Sequence, residues 1–249
     1  MKDALDRIFQ FLLDNRYFNK EVQTRHYCNV LSPHHGASEK VIALLYHVAN
    51  TQSQPSINML ASFYQMIYTN TSKMDSFTGF MSAVDEYHKR PRNYKGLCHA
   101  MRDQSGWGDK TAALFTKAIY HIHNGDYPSD LKFWGDIPEG LEQEDMLYLP
   151  VDRVIISAFN FISPQNWSFS KINNLLNTHY SNEEVEVWDD LWFWGFITQV
   201  GGGTEREMRW NPNKYWMLVG TNKDPQIISS IQKKSSVFLE ILEKVRLKP

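Results

Sequence analysis

The chain is predicted to be all-α. Apolar residues recur at intervals of three and four along most of its length. No stretch alternates apolar with polar residues as a half-buried strand does, and no strand–helix–strand rhythm appears. Residues 3–14 place Leu5, Ile8, Phe9, Leu12 and Leu13 on one helical face. A second helix runs over 38–49 with Val41, Leu44, Leu45 and Val48 on a stripe. Pro55 opens a third, since proline suits a first helical turn, with Ile57, Leu60, Phe63, Tyr64 and Ile67 inward. Residues 93–103 read as a helix. So do 109–122, with Ala113, Leu114, Ala118 and Ile119, and 152–162, with Val154, Ile155, Ala158, Phe159 and Ile162. The tail 225–247 carries Phe238, Ile241, Leu242 and Val245 on a stripe. Stretches 29–37, 124–149 and 201–212 read as irregular. The middle one holds seven acids against one base, and its length predicts a short helix of its own.

The 249 residues are enough for one large or two small domains with a substantial core. The 42% hydrophobic and 22% charged residues are ordinary for a globular protein, and disorder is not expected. Cys28 and Cys98 cannot build a framework of disulfides or a four-cysteine cluster, and such sparse usage fits a reducing, cytoplasmic compartment. The first residues carry an acid and no long apolar run, so no signal peptide is expected, and no stretch is apolar enough for a membrane helix. A net charge of −2 counts against nucleic acid as a partner unless the basic charge is local. Two local groups exist: Lys89, Arg90, Arg92 and Lys95, and Arg206, Arg209 and Lys214. The plainer reading of either is a solvated patch. His34-His35 lacks the further ligands of a zinc site, so no metal is expected there.

The most informative string is Ser105-Gly106-Trp107-Gly108-Asp109-Lys110-Thr111-Ala112. Two glycines one apart make a tight turn between the helices 93–103 and 109–122. Backbone N–H groups of Gly106, Gly108 and the following helix N-terminus would point outward and hold a phosphate. A phosphate-cradling nucleotide loop needs glycine directly before the lysine and a strand before the loop; Asp109 and a helix stand there instead. A dinucleotide fingerprint fails for want of the same strand. A helix–helix turn with an incidental surface lysine is the plain alternative.

Gly106 to Ala112 resembles the Gly-x-Gly-x-Lys-Thr-Ala hairpin of the helix-hairpin-helix DNA glycosylase superfamily. Leu149-Pro150-Val151-Asp152 is similar to the Val-Asp pair that opens a helix downstream in that family, in the form found in the 8-oxoguanine glycosylases. Asn50 to Pro55 is similar to the family's Ser-x-Gln segment, which places Gln52 where a glutamine fills the gap left by an extruded base. The matched stretch runs from about 38 to 162. The step of 42 positions from Lys110 to Asp152 exceeds the family's usual spacing, Gln104-Ser105 replaces its Leu-Pro lead-in, and its iron–sulfur cysteines are missing. The nearest group is the cluster-free archaeal 8-oxoguanine glycosylases.

The resemblance implies the fold of that family, two helical subdomains flanking a DNA cleft. Residues 1–50 and 151–249 would form one wall, and 51–150, with the hairpin 104–110, the other. It implies base-excision repair of double-stranded DNA by a glycosylase with associated lyase activity. Lys110 would attack the sugar and form a Schiff base, and Asp152 would stabilise the positive charge on the sugar. Lys110 needs a neutral amine, which partial burial beside a helix N-terminus favours. Asp152 could be only a helix cap. Gly106, Gly108, Gln52, Lys95 and Arg92 would contact DNA. The target base must be flipped out and stacked on planar side chains, and the string 188–196 offers Trp192, Phe193 and Trp194. No cofactor is implied beyond a potassium or sodium ion at the hairpin carbonyls. A monomer associated with the nucleoid is expected, with an oxidised purine such as 8-oxoguanine as substrate. The alternatives are a monofunctional glycosylase in which Asp152 activates water, and a non-catalytic DNA-binding module that keeps the hairpin.

Overall fold

A computed structural model describes residues 1–203 and 206–247. Of the stretch 201–212 expected to be irregular, Thr204 and Glu205 therefore lie outside the described residues. Helix makes up 64% of the chain and strand 2%, so the fold is all-α. The chain divides into two compact units: Met1–Arg25 with Val151–Pro249, and His26–Pro150. The first division falls inside one helix, at Arg25/His26. Residues 26–50, expected beside the N-terminal helix, belong instead to the middle unit, because the helix Ala37–Ala49 packs against Asp109–Asn124.

The discontinuous unit begins with α1 (Lys2–Asp14) and the first half of α2 (Arg16–Leu31). It continues through α8 (Arg153–Ile162), α9 (Phe169–His179), α10 (Asn182–Val187), α11 (Asp190–Ile197), α12 (Pro212–Met217) and α13 (Pro225–Val245). Two-residue strands β1 (Gln199–Val200), just before the stretch 201–212 expected to be irregular, and β2 (Glu207–Met208), inside it, pair antiparallel. α3 to α7 belong to the middle unit. α1 buries Leu5, Ile8, Phe11 and Leu12. Leu13, expected inward, is exposed, and Phe9 lies at the margin, stacked on Tyr180 at 4.9 Å. Phe11 meets Trp194 edge-on at 5.0 Å and Phe238 of α13 at 5.3 Å. α8 packs on α11 and α13. The α8–α11 contact depends on Gly195, where a Cβ would come within 2.9 Å of Val154 Cγ1.

The middle unit holds the second half of α2, α3 (Ala37–Ala49), α4 (Ile57–Thr69), α5 (Phe77–Val84), α6 (Tyr94–Arg102) and α7 (Asp109–Asn124). Short 3-10 turns occupy Thr71–Asp75 and Ser129–Leu131. α7 is the centre: Ala112, Ala113, Phe115, Ala118, Ile119 and Ile122 are buried, and α6 and α3 pack against it. The acidic stretch 124–149 carries only the 3-10 turn, and two of its acids hold helices in place. Asp136 accepts from Phe77 N (2.7 Å) and Thr78 N (2.9 Å) at the start of α5. Asp145 accepts from Tyr94 N (3.1 Å) and Lys95 N (2.6 Å) at the start of α6. Both positions put a carboxylate on otherwise unpaired N–H groups at the positive end of a helix. Among the described residues, no helix is long and apolar enough to cross a membrane.

Candidate active-site residues

Between α6 and α7 the chain turns over residues 103–108. Gly106 has φ +81°, and a Cβ there would sit 2.9 Å from the Leu60 backbone nitrogen of α4. Both facts demand glycine. Gly108 differs: its φ of −145° is open to any residue, and a Cβ would meet nothing within 4 Å. Its N–H donates to Thr111 Oγ1 at 3.0 Å, so this amide is not offered to a phosphate as expected. Trp107 is buried between α4 and α7, 5.3 Å from Phe63 and 5.9 Å from Phe115.

Lys110, in the first turn of α7, is half-buried. Its Nζ donates to Thr51 Oγ1 at 2.6 Å and lies 3.4 Å from the Thr51 carbonyl. Gln52 Nε2 donates to the Gly106 carbonyl at 3.2 Å. The segment just after α3 thus grips the turn through two neighbouring residues, and Gln52, Gly106 and Lys110 come together. On α3, His47 Nε2 lies 2.7 Å from His26 Nε2. Burial, then His26, then the Lys110 ammonium push the His47 imidazole down to about 4. Burial first and Lys117 second lower His26 as well. The pair is therefore neutral at physiological pH, one ring donating to the other.

The structure does not bring Arg92 and Lys95 to the turn. They flank the N-terminus of α6, whereas the turn follows its C-terminus, about 13 Å away along the axis. Arg92 is exposed, while the adjacent Arg90 is paired with Asp85 and Asp103. For a cation at the turn, two carbonyls already accept protein donors: Gln104 from Trp107 N, Gly106 from Gln52. Among the described residues, no three His, Cys, Asp or Glu side chains gather as metal ligands.

In the other unit, Asp152 caps α8. Its Oδ1 accepts from Val154 N at 2.8 Å and Ile155 N at 3.1 Å, and its Oδ2 accepts from Trp192 Nε1 at 2.9 Å. The cap function is real, yet the second oxygen is oriented by a side chain forty residues on. Trp192 is half-buried and stacks on Phe196, with centroids 5.0 Å apart and planes 12° apart. Lys214 Nζ lies 5.0 Å over the Phe196 ring. The expected stacking residues Phe193 and Trp194 have no exposed surface. Both point into the core, where Trp194 packs edge-on against Phe11 and Phe18. Of the three, only Trp192 is available to a ligand. Phe196, part of the aromatic string but not picked for the base pocket, and Lys214, read from the sequence as one of a local basic group, join it. The available signal was the i, i+4 spacing of Trp192 and Phe196, which puts both rings on one helix face.

Neither a family model, nor a curated protein, nor a solved structure matches the chain.

Proposed function

We propose that the chain is a helix-hairpin-helix DNA glycosylase with associated lyase activity, removing an oxidised purine such as 8-oxoguanine from double-stranded DNA. One observation carries the reading: the segment Thr51-Gln52, singled out through one motif, hydrogen-bonds to Lys110 and Gly106 of the hairpin singled out through another. The carboxylate of Asp152, held through both oxygens, supplies the second component.

As the base departs, positive charge grows on the sugar, and a fixed carboxylate stabilises it without having to reorganise. The Lys110 amine then bonds to C1′ and loses a proton; the C1′–O4′ bond opens, O4′ taking up a proton to become a hydroxyl, and the resulting Schiff base permits elimination of the 3′ phosphate. To reach a sugar, Lys110 must exchange its Thr51 hydrogen bond for the substrate. α7's first-turn amides beyond Gly108 would meet a phosphate. The extruded base would lie against Trp192 in place of Phe193 and Trp194.

The test uses duplexes bearing 8-oxoguanine, an oxidised pyrimidine, an alkylated base or uracil, with borohydride to trap a covalent adduct. Wild type should release the oxidised purine, nick the strand and trap. Lys110→Gln should trap nothing, and Asp152→Asn should slow base release about 100-fold or more. Trapping by Lys110→Gln at the wild-type level overturns the assignment. Release without a nick identifies the water-activating alternative, and no release from any duplex leaves a DNA-binding module.

A further inference from the structure

Breaking a glycosidic bond creates two charges, one on the sugar and one on the departing base. Asp152 answers the first. The structure places a cation close to Asp152 within the same unit, linked to it by contacts of known length. Asp152 Oδ2 is 2.9 Å from Trp192 Nε1, Trp192 stacks on Phe196 at 5.0 Å, and Lys214 Nζ lies 5.0 Å over Phe196. Trp192, Phe196 and Lys214 are all half-buried, which leaves planar and cationic surface open to a ligand.

The backbone that carries Lys214 is held firmly. Asn211 accepts from the Lys214 backbone N at 3.3 Å, donates through Nδ2 to the Gln199 carbonyl at 3.1 Å, and donates through its own N–H to the Ile197 carbonyl at 2.8 Å. The neighbouring Arg206 is engaged with protein acceptors, the Gly203 carbonyl at 2.9 Å and Gln199 Oε1 at 3.2 Å. Among the described residues, the Lys214 ammonium makes no hydrogen bond of its own, only the ring contact. A half-buried ammonium without an acceptor, beside an aromatic stack, suits an anion with a flat body.

We propose that Lys214 is a catalytic residue of the glycosylase reaction, assisting departure of the base, an inference that rests on the function proposed above. The C1′–N bond breaks and its electron pair goes to the base. The Lys214 ammonium hydrogen-bonds the base and passes a proton to it. Lys110 forms the new bond to C1′ and releases its own proton to solvent. Burial first, then Arg206, hold the Lys214 ammonium below the ordinary lysine range against the opposing pull of Asp152, which makes it a readier proton donor.

Two single-turnover measurements test this on the whole chain. One is base release from a duplex with 8-oxoguanine opposite cytosine. The other is borohydride trapping at a preformed abasic site, where no base has to leave. Lys214→Gln should slow base release about 100-fold with little change in the half-saturating DNA concentration. Its trapping at the abasic site should stay within about twofold of wild type, which also certifies a folded protein. Lys214→Arg, which keeps the cation but does not surrender a proton, should stay well below wild type in base release, recovering only what charge alone supplies. Unchanged base release in Lys214→Gln, or an equal loss in both measurements, overturns the role of Lys214. A wild-type chain that neither releases base nor traps overturns the glycosylase reading itself, and this inference with it.

Discussion

Gly106 and Gly108 look equivalent in the sequence, yet the fold asks different things of them. At 106 the backbone is left-handed and α4 leaves no room for a Cβ. Gly106→Ala should lower stability by about 2 kcal/mol or more, combining backbone strain with displacement of Leu60. Gly108 occupies the N-cap of α7 in an extended conformation with open space around it. Gly108→Ser should be neutral or slightly stabilising, since serine caps well. Thermal or denaturant unfolding of the two variants separates these expectations, and equal losses at both positions would contradict them. A comparable ambiguity affected the aromatic string. Trp192, Phe193 and Trp194 are adjacent and chemically alike, so spacing could not say which faces inward. The answer lies in what α11 meets: Phe11 and Phe18 on one side, and on the other Asp152, on the face where Trp192 stacks on Phe196 of the same helix.

Helices with one partner face were legible. α1, α3 and α8 carry clean apolar stripes because each buries one side. α2 escaped sequence reading. Its buried residues are Phe18 and Asn19 in one unit, Tyr27 and Leu31 in the other. At about 100° per residue, Phe18 and Tyr27 point to opposite sides of the helix, so no single stripe exists to be found. The acidic stretch was legible as a loop but not as a set of caps, because the helix starts it serves lie tens of residues earlier in the chain. Its contribution is measurable. Asp145 is buried and accepts from Tyr94 N, Lys95 N and Met146 N. Asp145→Ala should cost about 2–4 kcal/mol by stranding those donors, whereas Ala at exposed Glu142 should change stability by less than about 0.5 kcal/mol. A small effect at Asp145 in urea unfolding would show that α6 does not depend on this cap.

The two units should respond to pH in opposite directions. In the middle unit, His47 and His123 are each held near 4, first by burial, then by His26 and Lys132 respectively. The unfolded chain takes up protons below about 6.5. Stability from these residues is therefore present above 6.5 and is lost as pH falls towards 4. In the discontinuous unit, Asp190 is raised to about 8, first by burial, against the pull of Asn19 at 2.5 Å and Arg16 at 3.3 Å. Its contribution is present below about 3.8 and is lost as pH rises through 8. Hydrogen exchange at pH 5 and 7.5, corrected for intrinsic rates, should show α3 and α7 less protected at the lower pH and α11 more protected. Asp190→Asn should remove the α11 response. A shift of both units in the same direction would rule out this arrangement.

Because one unit is assembled from segments on either side of the other, synthesis on the ribosome cannot finish them in order. The apolar side of α1 is covered by α13, about 210 residues later. At ~5–20 residues per second, that is roughly 10–40 s during which Leu5, Ile8 and Leu12 have no permanent cover. The 26–150 segment emerges whole and can collapse during that wait, so the nascent chain passes through a half-built stage with a sticky helix trailing from it. Slow translation over 151–224 would lengthen that exposure, and a chaperone that shelters α1 would shorten its consequences.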